Sequence, residues 1–316
     1  MRLARFLTIT AAYAMLCACS NGSIATVAPL NSTATQAVAA MSPHGSLLFV
    51  SDALLQEVRI YDLSHHDLWG EIPLVPLPGG LAVDASRNLY VAGLNGVTVY
   101  PQPYNRLSDQ LVMSGRQALA VAVAPNGTVA AIDAQNVFVF TAGSDQPCLE
   151  YAPPNYGRLT SIAFDKNSNI YFTGYDTSGN VAISEMPGQC TNVGSTQLTI
   201  GNSLRSANSI AVGPDGRLSV LDTSAKAIFT YDAPVGDSLG KPTTATLLQS
   251  DNVRDPVAFA FDTTGKSLYT ADSVSGRADE FAFPAGGSPT DTLMVGGQPV
   301  GIDIVPPYLP KSQSQN

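Results

Sequence analysis

An apolar triplet with alanine at its centre recurs six times at intervals of about forty residues, and each copy runs straight into a turn. The copies are Ala39-Ala40-Met41, Leu81-Ala82-Val83, Val121-Ala122-Val123, Ile162-Ala163-Phe164, Ile210-Ala211-Val212 and Phe259-Ala260-Phe261. Soon after each comes a short strand-like run ending in Asp or Gly: FVSD from Phe49, YVAG from Tyr90, AAID from Ala130, YFTG from Tyr171, SVLD from Ser219 and YTAD from Tyr269. A third run usually ends on an aromatic, as in VRIY from Val58 and VTVY from Val97, and a weaker outer run follows, such as PLVPL from Pro73. Repeats of this length built only from strands predict an all-β chain, a six-bladed propeller with four antiparallel strands per blade. The alanine column fits the inner strands, where converging blades leave least room.

How such a ring closes is left open by the sequence. A seventh inner-strand-like piece, Val300–Val305, ends the repeat region with Asp303 in the alanine column, and Ile24–Leu30 resembles an outer strand. Either Val300–Val305 displaces Ala37–Met41 at the axis or it pairs at an edge. Asp303 is in either case an acid in a near-axial column and a candidate to line the channel.

The first residues follow a different rule. Arg2 and Arg5 precede an apolar stretch from Phe6 to Leu16, the layout of a secretory signal. The stretch is short for a membrane-spanning helix. Leu16-Cys17-Ala18-Cys19 resembles the bacterial lipobox, and the resemblance implies cleavage after Ala18 and a diacylglyceryl group on Cys19. Ser20 at the next position is associated in that family with outer-membrane retention. The expected organisation is therefore a signal peptide at 1–18, a lipidated N-terminus and flexible tether at 19–36, a propeller at 37–305 and a disordered tail at 306–316. The expected place is the bacterial cell envelope, at the outer membrane or cell surface, with membrane contact through the lipid alone.

Removing residues 1–18 leaves a chain of formal charge −11. Such an acidic chain has no basic face for nucleic acid or for anionic lipid. Cys148 and Cys190 are the two cysteines left after processing, and an exported chain makes them disulfide candidates that would tie neighbouring blades at their rims; two separate buried thiols are the other reading.

Segments such as GGLAVDASRNLYVAGLNGVTVY from Gly79 and SIAVGPDGRLSVLDTSAKAIFTYD from Ser209 resemble NHL repeats and the related SMP-30/gluconolactonase-like propellers, over nearly all of 37–305. Those blades carry hydrolases, lyases and pure binding scaffolds alike. The SMP-30-type lactonases hold a divalent metal at the axis through Glu, Asn and Asp. Asn208 matches one of these places; Val257 stands at the second, with Asp255 two positions away, and Ala37 at the third. A hard cation wants several anionic oxygens, so no cofactor is expected and a metal at Asn208 is a weak match.

Other candidate groups read as structural. Asp52, Asp133, Asp222 and Asp272 recur at the ends of second strands, where an Asx-turn uses them; Gly93 and Gly174 replace them in two repeats, through their freedom in φ. His65 and His66 are adjacent in a loop near Trp69, unlike a helical zinc pair. No catalytic residue is singled out. The function expected is a lipid-anchored, non-catalytic binding or interaction scaffold with a protein, peptide or glycan at the propeller face. The alternative is a divergent SMP-30-like metal-dependent lactonase or hydrolase.

Overall fold

The computed structural model describes residues 45–305 apart from 114, 192 and 193. These residues contain no helix and form six four-stranded antiparallel sheets, the blades, and one short parallel pair, Thr199–Ile200 with Ser238–Gly240, between blades 4 and 5. The features expected at residues 1–44 and 306–316, including Cys19, the signal segment, the strand-like piece at 24–30 and the tail, lie outside the described residues.

In blades 2 to 6 the innermost strands are Leu81–Val83, Ala120–Val123, Tyr156–Phe164, Ser209–Val212 and Pro256–Phe261. The triplet alanine lies within each. Blade 1 is built differently. Its innermost strand is Pro299–Val305, from the end of the repeat region, paired antiparallel with Leu47–Asp52 so that Asp303 sits opposite Phe49. The last strand thus completes the first blade, and neighbouring inner strands pack against one another all the way round. A Cβ on Gly301 would collide with the carbonyl of Gly79 in blade 2, so the closing strand needs glycine to come this near its neighbour.

Each strand is apolar on both faces because each blade is covered on both sides. The second strand of blade 1, LLFVSD, is buried at every residue. The buried side chains group by blade interface: Leu47, Phe49, Leu89 and Val305 lie between blades 1 and 2, whereas Leu48, Val50, Tyr269 and Ile302 lie between blades 1 and 6. Within one strand, alternate residues therefore feed two different cores, as a period of two requires.

Two local expectations need correction. PLVPL at 73–77 is not the outer strand of blade 1, which is Asp67–Ile72. Pro73, Pro76 and Pro78 cannot donate to a ladder, and the segment instead becomes the linker to blade 2. Gly93 and Gly174 do not use positive φ. A Cβ on Gly93 would sit 3.1 Å from the Pro76 carbonyl, and one on Gly174 would collide with the Arg158 carbonyl. Close backbone approach, rather than turn freedom, requires glycine at both.

At the outer rim Cys148 and Cys190 form a disulfide with Cα atoms 5.3 Å apart. It joins the loop before the outer strand of blade 3, Leu149–Tyr151, to the loop before the outer strand of blade 4, Thr196–Gln197.

Candidate functional site

Two places on the ring can meet a ligand. One is the axial channel, and the other is the face that carries the second-to-third-strand turns together with the linkers between blades, here called the upper face. Antiparallel order puts both kinds of loop on one side, because each inner strand starts where its second strand ends.

The upper face is held by recurring carboxylates. Asp222 Oδ1 accepts the Ala225 N–H at 3.0 Å and the Ser206 hydroxyl at 2.9 Å, while Oδ2 accepts the Arg205 N–H at 2.7 Å. Asp272 likewise accepts Ser275 N–H at 2.7 Å in its own turn and Arg254 and Asp255 N–H at 2.6 and 2.8 Å in the incoming linker. Asp52 takes Leu54, Leu55 and Gln298 N–H. Each acid closes its turn and also latches the linker entering the same blade. In blade 3 the linker contributes a side chain instead, Arg116, at 3.0 Å from Asp133. Burial pulls the Asp133 carboxyl upward, but the Gln135 and Asn136 N–H groups and Arg116 outweigh it and hold the group below the usual carboxylate range. These acids are spread over four blades and do not converge.

Around this scaffold the surface differs from one side to the other. The turn of blade 6 exposes Val274, that of blade 1 exposes Leu54 and Leu55, the linker to blade 2 exposes Leu74 and Leu77, and the turn of blade 2 exposes Leu94. Backbone hydrogen bonds stitch these segments side by side: Gly296 N–H to the Gly276 carbonyl, Ala53 to Gln298, Val75 to Gln56 and Leu94 to Pro76. The six apolar side chains therefore form one arc over blades 6, 1 and 2. Leu74 is 87% exposed and Leu54 68% exposed. Leu74 and Leu77 are moreover held at φ of 59° and 47°, the left-handed region that costs an ordinary side chain on the order of 1 kcal/mol. The corresponding turns of blades 3 to 5 expose Ala134, Gln135, Thr177, Ser178, Asn180, Ser224 and Ala225, which are small or polar. Elsewhere on these blades, among the described residues, only single apolar side chains are exposed near this face, Val112 in the linker to blade 3 and Leu247 at the end of the outer strand of blade 5.

The channel has a volume of about 420 Å³ and is lined by inner-strand residues of all six blades. Half-buried Val83, Val123, Val212 and Val300 line it together with Thr160 and strand-edge backbone, and Asp303 lies among them. Its Oδ1 accepts the Ile304 N–H at 2.8 Å, and the Val83 N–H is also bonded to this carboxylate. Burial raises the Asp303 carboxyl to about 7, against which these two N–H groups act only in part.

Asn208 also lines the channel, but its amide donates to the Thr223 hydroxyl at 3.0 Å. Val257 brings no ligand atom on its side chain, and Asp255 accepts the Ser273 hydroxyl at 2.5 Å. Among the described residues no three His, Cys, Asp or Glu side chains gather as a metal site. The residues present therefore do not fit an SMP-30-type metal centre. His65 is bonded to Asp62 at 3.2 Å, and His66 reaches Asp291 of blade 6, so both histidines serve the rim of blade 1.

No family model and no curated protein matches the chain in sequence. In fold it is similar to solved structures. A chain of a nidogen/laminin complex superposes with a TM-score of 0.65 at 15% identity, covering 82% of this chain and 98% of that one. Virginiamycin B lyase from Staphylococcus aureus superposes with a TM-score of 0.55 at 15% identity, covering 85% and 83%. A protein from Desulfotomaculum acetoxidans described as functionally unknown gives 0.54 at 14% identity, covering 83% and 99%. At such identities the likeness establishes the six-bladed propeller and nothing about chemistry.

Proposed function

We propose that this chain is a non-catalytic binding platform of the bacterial envelope, anchored by lipid on Cys19, whose upper face takes a protein or peptide ligand. The observation that carries this reading is the apolar arc from Val274 to Leu94. Solvent-exposed leucines stitched into one band, two of them on strained backbone, are costly unless a partner covers them. The likeness to a chain from a nidogen/laminin complex supports the choice of a protein ligand. A glycan would call instead for aromatic and hydrogen-bonding groups, and the arc exposes Leu and Val.

The test is capture from envelope extracts by the full chain, compared with Leu54→Asp and Leu74→Asp. A partner retained by the wild type and lost with either variant supports the platform. Metal-dependent lactonase or esterase turnover that Asn208→Ala abolishes would overturn it, and mass spectrometry showing a mature N-terminus other than acylated Cys19 would overturn the anchor.

A further inference from the structure

The axial channel holds an uncompensated acid. Among the described residues its lining includes no Lys, Arg or His, and the only other carboxylate there, Asp262, lies in the turn below blade 6. Asp262 is already engaged: it accepts Lys266 and Ser267 N–H at 2.9 and 3.0 Å and the Thr264 hydroxyl at 2.5 Å. Asp303 differs. Two backbone N–H groups approach it, and the channel around it is lined by apolar side chains together with strand-edge backbone and the neutral polar groups of Thr160, Ser161, Asn208 and Ser209. The strands packed against Pro299–Val305 bring only further acids and phenols: Asp52, Asp84 just after Leu81–Val83, and Tyr269 and Asp272 of blade 6. Tyr90 stands on the second strand of blade 2. None of these strands carries a basic residue.

A half-buried carboxylate without a counter-charge is less favourable than one in water, and a ligand that supplies the charge is correspondingly favoured. The channel's chemistry selects among such ligands. An anion finds no positive group. A divalent metal finds one free carboxylate where it needs several anionic oxygens. A neutral molecule leaves the acid as it was. An organic ammonium ion meets every requirement, since its charge pairs with Asp303 and its hydrocarbon body lies against the half-buried Val83, Val123, Val212 and Val300. Its remaining N–H donors face backbone carbonyls on the inner edges of the innermost strands. The volume of about 420 Å³ falls in the range of small-molecule sites.

We propose that the axial channel is a binding site for a small primary ammonium ligand with an apolar body, and that Asp303 is its counter-ion. This site is independent of the apolar arc on the upper face and stands whether or not the platform reading does.

The probes are benzylammonium and n-hexylammonium, with benzyl alcohol as the neutral counterpart, titrated calorimetrically into the full chain. At least one ammonium probe is expected to bind one-to-one, with an apparent affinity about tenfold higher at pH 8 than at pH 6 as Asp303 ionises. Binding near pH 6 is expected to release a proton, read from the dependence of the heat on buffer ionisation enthalpy. Asp303→Asn is expected to lose more than about tenfold in affinity. A readout that needs no variant is the carboxyl carbon resonance of Asp303, whose titration should move to lower pH in saturating probe. The proposal is overturned by failure of both ammonium probes, by equal binding of benzyl alcohol, by unchanged binding to Asp303→Asn, by an unmoved Asp303 titration, or by calcium displacing the amine. Leu74→Asp is expected to leave amine binding intact, which separates this site from the upper face.

Discussion

Asp222 shows how much one side chain can carry. It is 1% exposed and holds three donors from two segments, so removing it strands buried N–H groups as well as breaking bonds. Asp222→Ala is expected to cost about 3 kcal/mol in urea unfolding, and Asn to recover part of that through its one carbonyl oxygen. Asp303 acts in the opposite sense. Its folded carboxyl titrates near 7, above the usual unfolded value near 4. Between those values the folded chain binds a proton that the unfolded chain has released, so stability falls as pH rises from about 4 to about 7 and is level above. Asp133 does the reverse: its contribution is present above the unfolded value and is lost as pH falls through its lowered one. Asp303→Asn is expected to be more stable than wild type at pH 8, by about 2 kcal/mol after allowing for water in the channel, and nearly equal at pH 4. A difference independent of pH would show that the carboxyl is not perturbed.

At the scale of elements, the closing strand shows what a repeat can and cannot specify. Val300–Val305 announces itself as an inner strand because its apolar pattern matches six other copies, but pattern alone cannot choose between two candidates for the same place. Pairing chose it: Leu47 to Asp52 face Val305 to Pro299 in register, with one irregularity between Ser51 and Asp52. Ile302 and Ile304 complete the core between blades 6 and 1, and Val305 that between 1 and 2. Ile302→Ala is therefore expected to cost about 3 kcal/mol and to loosen the ring at its seam, seen as faster amide exchange in Leu47–Asp52 than in blade 4. The channel acid was legible for the same reason as the strand, because Asp303 breaks a column of alanines. The apolar arc was not. Its leucines sit in turns and in a proline-rich linker that reads as another outer strand, and only the hydrogen bonds that align those segments reveal that they share a surface. The latching role of the Asp column was half legible: the Asx-turn follows from position, whereas the second bond to the incoming linker is a tertiary fact.

As a whole molecule the ring has two seams of different kinds, a disulfide at the rim between blades 3 and 4 and a hydrogen-bonded ladder inside blade 1. The disulfide spans 42 residues, which restricts the unfolded chain by about 4 kcal/mol in the loop-entropy picture, and replacing both cysteines by serine is expected to cost about 2–4 kcal/mol. The ladder closes the ring without a covalent bond, and its position inside a blade matters. Blades meet mainly through side chains, with short backbone links such as Thr199–Ile200 against Ser238–Gly240, whereas strands within a blade share a cooperative hydrogen-bond ladder, so a cut placed inside a blade keeps continuous backbone pairing across the break. Because Leu47 pairs with Val305, the two ends can be joined by a five-residue turn like Ala124–Thr128, which already links an inner to a second strand in blade 3. Two permutants follow from that join. Opening the chain at Ser178–Gly179 leaves the new ends in the exposed turn of blade 4, with their strands still paired, and should keep a thermal midpoint close to that of the parent. Opening it in the exposed linker at Asp251–Asn252 leaves blades 5 and 6 to meet through side chains and two backbone bonds, Gln249 N–H to the Gly287 carbonyl and Gly287 N–H to the Leu247 carbonyl, in place of a full ladder. That permutant should melt clearly lower. Equal midpoints would mean that side-chain packing between blades suffices to shut the wheel, and that the strand exchange in blade 1 contributes connectivity rather than stability.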